Sequence, residues 1–135
     1  LSIEITGAGA NRIPVAIADF SGDPTASRVV TATVRADLER SGLFKMIDTS
    51  GVAMTEATPP QYGDWKLRGA DALAAGSLGP TDGGRQEARF RLYDINKQDA
   101  LAGAAFVTST PMLRAAGHRI ADIIYEKLTG IEIGR

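Results

Sequence analysis

IPVAIADFSGDPTASRVVTATVRADLERSGLFKMI, residues 13–47, is the stretch whose reading decides the fold. Its first eight residues, IPVAIADF, carry few polar groups and read as a strand buried on both faces. Asp19-Phe20-Ser21-Gly22-Asp23-Pro24 follows as a loop that ends in a helix start. The Asp23 carboxylate can accept from the free first-turn amides, and Pro24 sits where a missing N–H costs nothing. Val30, Val34 and Leu38 then recur at i, i+4 and i+8, an apolar stripe on a helix running to about Ser41. Arg35, Glu39 and Arg40 point away from that stripe, and Asp37 falls at its edge. Gly42 stands where a left-handed helix cap is usual. Leu43-Phe44-Lys45-Met46-Ile47 reads as another short strand, closed by Asp48-Thr49-Ser50-Gly51. Strand, helix and strand in succession set the class as α/β.

Toward the C-terminus, residues 52–61 show no period and contain Pro59-Pro60, so they read as loop. Residues 62–68 form a short helix around Trp65, which is expected to anchor into the core. Residues 72–78 are small and apolar, a buried strand, and Pro80-Thr81-Asp82-Gly83-Gly84 is a turn. Ala88, Phe90 and Leu92 alternate with Glu87, Arg89 and Arg91, which predicts a strand with one wet face. Asn96-Lys97-Gln98-Asp99 is a second turn, and residues 101–109 pair back as a strand. In the last helix Thr110 caps, Pro111 opens, and Leu113, Gly117, Ile120, Ile124 and Leu128 line one face as far as Gly130. Gly117 costs that helix about 1 kcal/mol against alanine, a cost that close packing on the sheet would justify. Neither a repeat nor a linker interrupts this order, so residues 1–135 are expected to be one domain.

Toward the N-terminus, Leu1, Ile3 and Ile5 alternate with Ser2, Glu4 and Thr6, a period of two that suits a short extended segment. Gly7-Ala8-Gly9-Ala10-Asn11 reads as a flexible break between it and the body. Leu1 opens straight into this alternation, without the basic and apolar regions of a signal peptide, as expected of a cytosolic chain or a mature exported one.

Composition narrows the function classes. The 15 basic and 16 acidic residues leave a net charge of −1, so no overall field favours nucleic acid or an anionic membrane. Cysteine is absent, which removes disulfides, thiolate metal sites and cysteine nucleophiles together. No apolar run approaches the ~18–20 residues needed to cross a bilayer. Gly7-Ala8-Gly9 resembles the opening of a dinucleotide fingerprint, but Arg12 stands in the third glycine's place and Pro14 interrupts the helix that should follow. His118, the single histidine, is read as a structural contact to Asp122 four residues on. Asp19 and Asp23 flank a loop at a strand's end, where α/β sites often lie, yet Asp23 is already used as a cap. Arg85, Arg89 and Arg91, interrupted by Glu87, read as a solvated sheet face. None of these makes a convincing active site: no catalytic, cofactor-binding or metal-binding residues are assigned. The alternative reading is an α/β enzyme or nucleotide-binding domain.

Five stretches together resemble the N-terminal domain of the TolB family. They are PVAIADF at 14–20, ADLERSGLFKMID at 36–48, DWKLRGADALAAGSL at 64–78, RFRLYDINKQDALAGAAF at 89–106 and LRAAGHRIADIIYEKLTG at 113–130. The last is the most specific, with glycine-histidine, alanine-aspartate and leucine-threonine-glycine in the family's order. The resemblance implies a mixed sheet of about five strands packed by two main helices, joined in the family to a C-terminal six-bladed β-propeller. It implies a periplasmic, non-catalytic scaffold of the Tol–Pal system, with no cofactor, that maintains the outer membrane during division. It implies binding to the C-terminal domain of TolA through the extreme N-terminal segment, here Leu1, Ser2, Ile3, Glu4, Ile5 and Thr6. It also implies binding to the lipoprotein Pal through the propeller. The sequence closes at Arg135, where the propeller is expected to begin, so Pal binding is expected mainly outside these residues. The alternating apolar edge of the first six residues agrees physically, since such a segment can add as a strand to a partner's sheet.

Overall fold

The computed structural model describes residues 11–131. Strands β1 (Ile13–Ile17) and β3 (Phe44–Met46) flank the helix α1 (Pro24–Arg40), and the two strands pair in parallel. Strand β4 (Ala72–Pro80) lies parallel to β1 on its other side, and β5 (Gln86–Asp94) and β6 (Asp99–Thr108) continue antiparallel. The order across the sheet is β3-β1-β4-β5-β6, a mixed sheet as the family resemblance implies. A two-residue strand, β2 (Ser21–Gly22), pairs with the far end of β4, in a stretch the sequence reads as loop. The Ala18 N–H still bonds the Ala74 carbonyl at 2.9 Å, so pairing with β4 resumes after a break at Asp19-Phe20. Within the break the Phe20 N–H is taken by Thr31 Oγ1 of α1 at 2.9 Å.

The α1 start follows the predicted chemistry. Asp23 Oδ2 accepts from the Ala26 N–H at 2.9 Å, and Pro24 opens the helix. Gly42 takes the left-handed conformation, φ 78°, that lets the chain turn from the end of α1 into β3. The start of the last helix, α3 (Leu113–Thr129), differs from the expectation. Thr110-Pro111-Met112 form a separate 3₁₀ turn, and no side chain caps α3. Thr110 is thus one turn too early to serve as its cap, while Thr108 Oγ1 donates to the Met112 carbonyl at 3.2 Å.

Both long helices lie on one face. Val30, Val34 and Leu38 of α1 and Leu113, Ile120, Ile124 and Leu128 of α3 join one buried cluster with Val15, Ile17, Ala74, Phe90 and Leu92 of the strands. Each of the larger of these buried side chains contributes about 1.5–3 kcal/mol. The alternate strand residues Ala16, Ala18, Leu73, Ala75 and Tyr93 face the other way. They are covered by Met54, Ile95 and the buried Trp65 of the short helix α2 (Tyr62–Leu67). Trp65 is an anchor, as read, with the Arg68 guanidinium 5.2 Å from its ring centre. Gly117 is a close approach, but to a helix and not to the sheet. A Cβ there would lie 2.7 Å from Thr33 Cβ, so the glycine sets the spacing of α3 against α1.

Candidate partner-binding site

The six residues assigned to partner binding, Leu1, Ser2, Ile3, Glu4, Ile5 and Thr6, lie outside the described residues, as does the Gly7-Ala8-Gly9 motif. The described residues begin at Asn11. Asn11 has φ 57°, and the Ile13 N–H then bonds the Leu43 carbonyl at 2.8 Å, which starts β1 between β3 and β4. The same end of the sheet holds Asp71, whose N–H donates to the Pro14 carbonyl and whose carbonyl accepts from Ile95. Asn96 Nδ2 donates to Asp71 Oδ1 at 3.2 Å, tying the β5–β6 turn to this end. This end of the sheet, at the start of β1, is thus tied together by backbone and side-chain hydrogen bonds.

The opposite end of β1 holds the cleft where an α/β sheet would place a small-molecule site. It is lined by Asp19, Arg35 and the loop at residues 46–53, with a volume of about 520 Å³. Arg35 does not simply point away from the helix stripe. Its Nη2 donates to the Ile17 carbonyl at 2.6 Å, Asp19 Oδ1 at 3.0 Å and Thr49 Oγ1 at 3.0 Å. A long side chain that leaves the helix near its stripe can reach round the sheet's end, which helical spacing alone does not register. Arg68 closes the loop from the other side, donating to the Asp48 and Ser50 carbonyls at 3.0 and 3.1 Å. The Ser50 hydroxyl, 2.6 Å away, and the Ser50 N–H hold the Asp48 carboxyl below its ordinary value. The polar groups of this cleft are thus used in fixing the β3 loop.

The remaining sequence candidates also find structural partners. His118 Nδ1 lies 2.5 Å from Asp37 Oδ2 of α1, so the predicted contact with Asp122 is replaced by one between helices. Asp37 also pairs with Arg40, so one carboxylate, only 19% exposed, pins the helix pair. The i, i+4 spacing of His118 to Asp122 offers one acceptor. Asp37 offers another from across the interface, and sequence spacing cannot show it. Asp23 is the α1 cap, and Asp19 is engaged by Arg35. Arg89 pairs with Glu87 at 2.6 Å, and Arg85 falls before β5 begins, so the three arginines make no continuous stripe. Among the described residues no group of three or more His, Asp or Glu is placed to hold a metal ion. No helix among them is long and apolar enough to cross a membrane.

Comparison with known proteins supplies the family. The TolB amino-terminal domain matches residues 1–101. The Tol-Pal system protein TolB of Dechloromonas aromatica (strain RCB) is 69% identical over 130 residues, covering 96% of this chain and 30% of that protein. The Tol-Pal system protein TolB of Nitrosomonas europaea is 51% identical over 130 residues, with 96% of this chain and 31% of that protein covered. The crystal structure of TolB from Acinetobacter baumannii superposes with a TM-score of 0.76 at 30% identity, over 98% of this chain and 32% of that one. The LpoB C-terminal domain from Salmonella enterica shares the fold alone, with a TM-score of 0.56 at 13% identity over 80% of this chain and 88% of that one. This chain spans about a third of the length of the TolB proteins it matches. With a family match over most of its residues, the chain belongs to the family of TolB amino-terminal domains.

Proposed function

We propose that this chain is a non-catalytic periplasmic scaffold module of the Tol–Pal envelope system, and that Leu1, Ser2, Ile3, Glu4, Ile5 and Thr6 bind the C-terminal domain of TolA. The carrying observation is the 69% identity to a Tol-Pal system protein TolB across nearly the whole chain. The local chemistry supports it: alternating Leu1, Ile3 and Ile5 give one apolar edge for strand addition, in which main-chain hydrogen bonds supply affinity and alternate side chains supply choice. A role apart from catalysis is supported by the use of Arg35, Asp19, Asp23, Asp37 and His118 in holding the fold. Pal binding falls mainly to a propeller domain of the family, outside this chain. Ordering a free segment costs about 1–2 kcal/mol per residue in backbone entropy, so the interaction is weak unless TolA offers an apolar groove. A titration of the TolA C-terminal domain by calorimetry, with the chain and with a version lacking residues 1–6, tests the assignment. Binding is expected for the first and none for the second; equal binding by both would remove these residues from the interface.

A further inference from the structure

The β6 strand ends the sheet, and its outer edge has no strand partner among the described residues. Natural edge strands are usually blunted by lysine, proline or inward charges, because a bare edge is a template for another strand. In β6, DALAGAAFVT, only Asp99 is charged and proline and lysine are absent. Beside the C-terminal half of this edge runs a groove of about 410 Å³ between β6 and the start of α3. Phe106, Ala115 and Ala116 line it together with two exposed apolar side chains, Val107 at 51% and Met112 at 54%. Two cations stand at its rim. The Arg119 guanidinium lies over the Phe106 ring, 4.2 Å from its centre, and among the described residues the Arg85 side chain donates only to the Asp82 carbonyl. Neither has a carboxylate within ion-pair distance among the described residues.

We propose that this edge receives an extended segment of another protein that carries alternate apolar side chains and a carboxylate. An added strand satisfies the outward N–H and C=O groups of β6, and every second side chain drops into the groove over Phe106 and Met112. A guanidinium already flattened on an aromatic ring keeps its in-plane donors free, the geometry in which arginine takes a carboxylate with two hydrogen bonds. Charge also selects among occupants. Two copies of the chain pairing through the groove half of β6 would set Arg119 against Arg119.

The test is titration of the ¹⁵N-labelled chain with a synthetic heptapeptide of alternating valine and threonine bearing one glutamate, and with its lysine counterpart. The glutamate peptide should shift the amides of residues 103–109 and leave those of β3 unmoved. The lysine peptide should bind roughly two- to fivefold more weakly, the worth of an exposed ion pair, and Arg119→Glu should reverse that preference. Val107→Lys, which blunts the edge without touching the rim, should weaken both peptides. Shifts confined to β3, no shift at millimolar peptide, or equal affinity for the two peptides would overturn the proposal. So would sedimentation showing a dimer that Val107→Lys dissolves, or peptide binding that appears only after deletion of residues 1–6.

Discussion

The two faces of the sheet are buried by unlike material. On one side α1 and α3 set seven large aliphatic residues against Val15, Ile17, Phe90 and Leu92. On the other, Ala16, Ala18 and Ala75 stand beside Leu73 and Tyr93, and the cover is Trp65, Met54 and Ile95 from short or irregular segments. A helix can bury a face only by repeating an apolar residue every three or four positions, so that face has a period. A loop needs only a few large anchors to do the same work, and small strand residues let it lie close. The second face therefore carries no periodic signal although it is as dry as the first.

Paired truncations break or sharpen that contrast. Trp65→Ala should cost about 3–5 kcal/mol and Leu38→Ala about 2–5 kcal/mol in equilibrium denaturation, since both side chains are almost fully buried. Equal cooperativity in the two variants is expected if the faces share one folding unit. A Trp65→Ala change under ~1 kcal/mol would make the loop cover an accessory layer.

Gly117 tests the helical side by overfilling. Gly117→Val places its Cβ against Thr33 and should destabilise by about 1–3 kcal/mol, which Thr33→Gly in the same chain should partly restore. No effect from Gly117→Val would mean that the helices move apart easily.

What the sequence made legible follows the same division. The α1 stripe, the Asp23 cap, β1, β4, β5, β6 and the α3 face were readable because each obeys a local period or a local hydrogen-bond pattern. The two residues of β2 were not, because two residues carry no period and their pairing depends on β4 returning beside them. Thr110 looked like a cap because a 3₁₀ turn and a helix start share Thr-Pro chemistry. His118 met Asp37 instead of Asp122, and Arg35 reached Asp19 and Thr49, because both contacts cross between elements far apart in the chain. The proposed partner-binding segment rests on its alternation and on the family resemblance, and lies outside the described residues.

The smallest expected effect is on the loop-covered side. The Asp48 carboxyl is held below 3.8 chiefly by Ser50. A lowered folded value stabilises the domain above the unfolded carboxyl's range, and the gain disappears as pH falls through the folded value. Ser50→Ala should therefore lower the melting temperature slightly near neutrality and flatten its decline in acid; an unchanged acid profile would remove Asp48 from the pH response.

The central proposal is that the first six residues serve TolA binding and not the fold. Calorimetric titration of the TolA C-terminal domain against the Ile3→Asp, Ile5→Asp double variant, with a thermal melt of the same sample, tests it most directly. The account predicts that TolA binding is lost while the melting temperature stays within about 1–2 °C of the parent, as for substitutions outside a core. A domain that melts many degrees lower, or one that binds TolA unchanged, would contradict it.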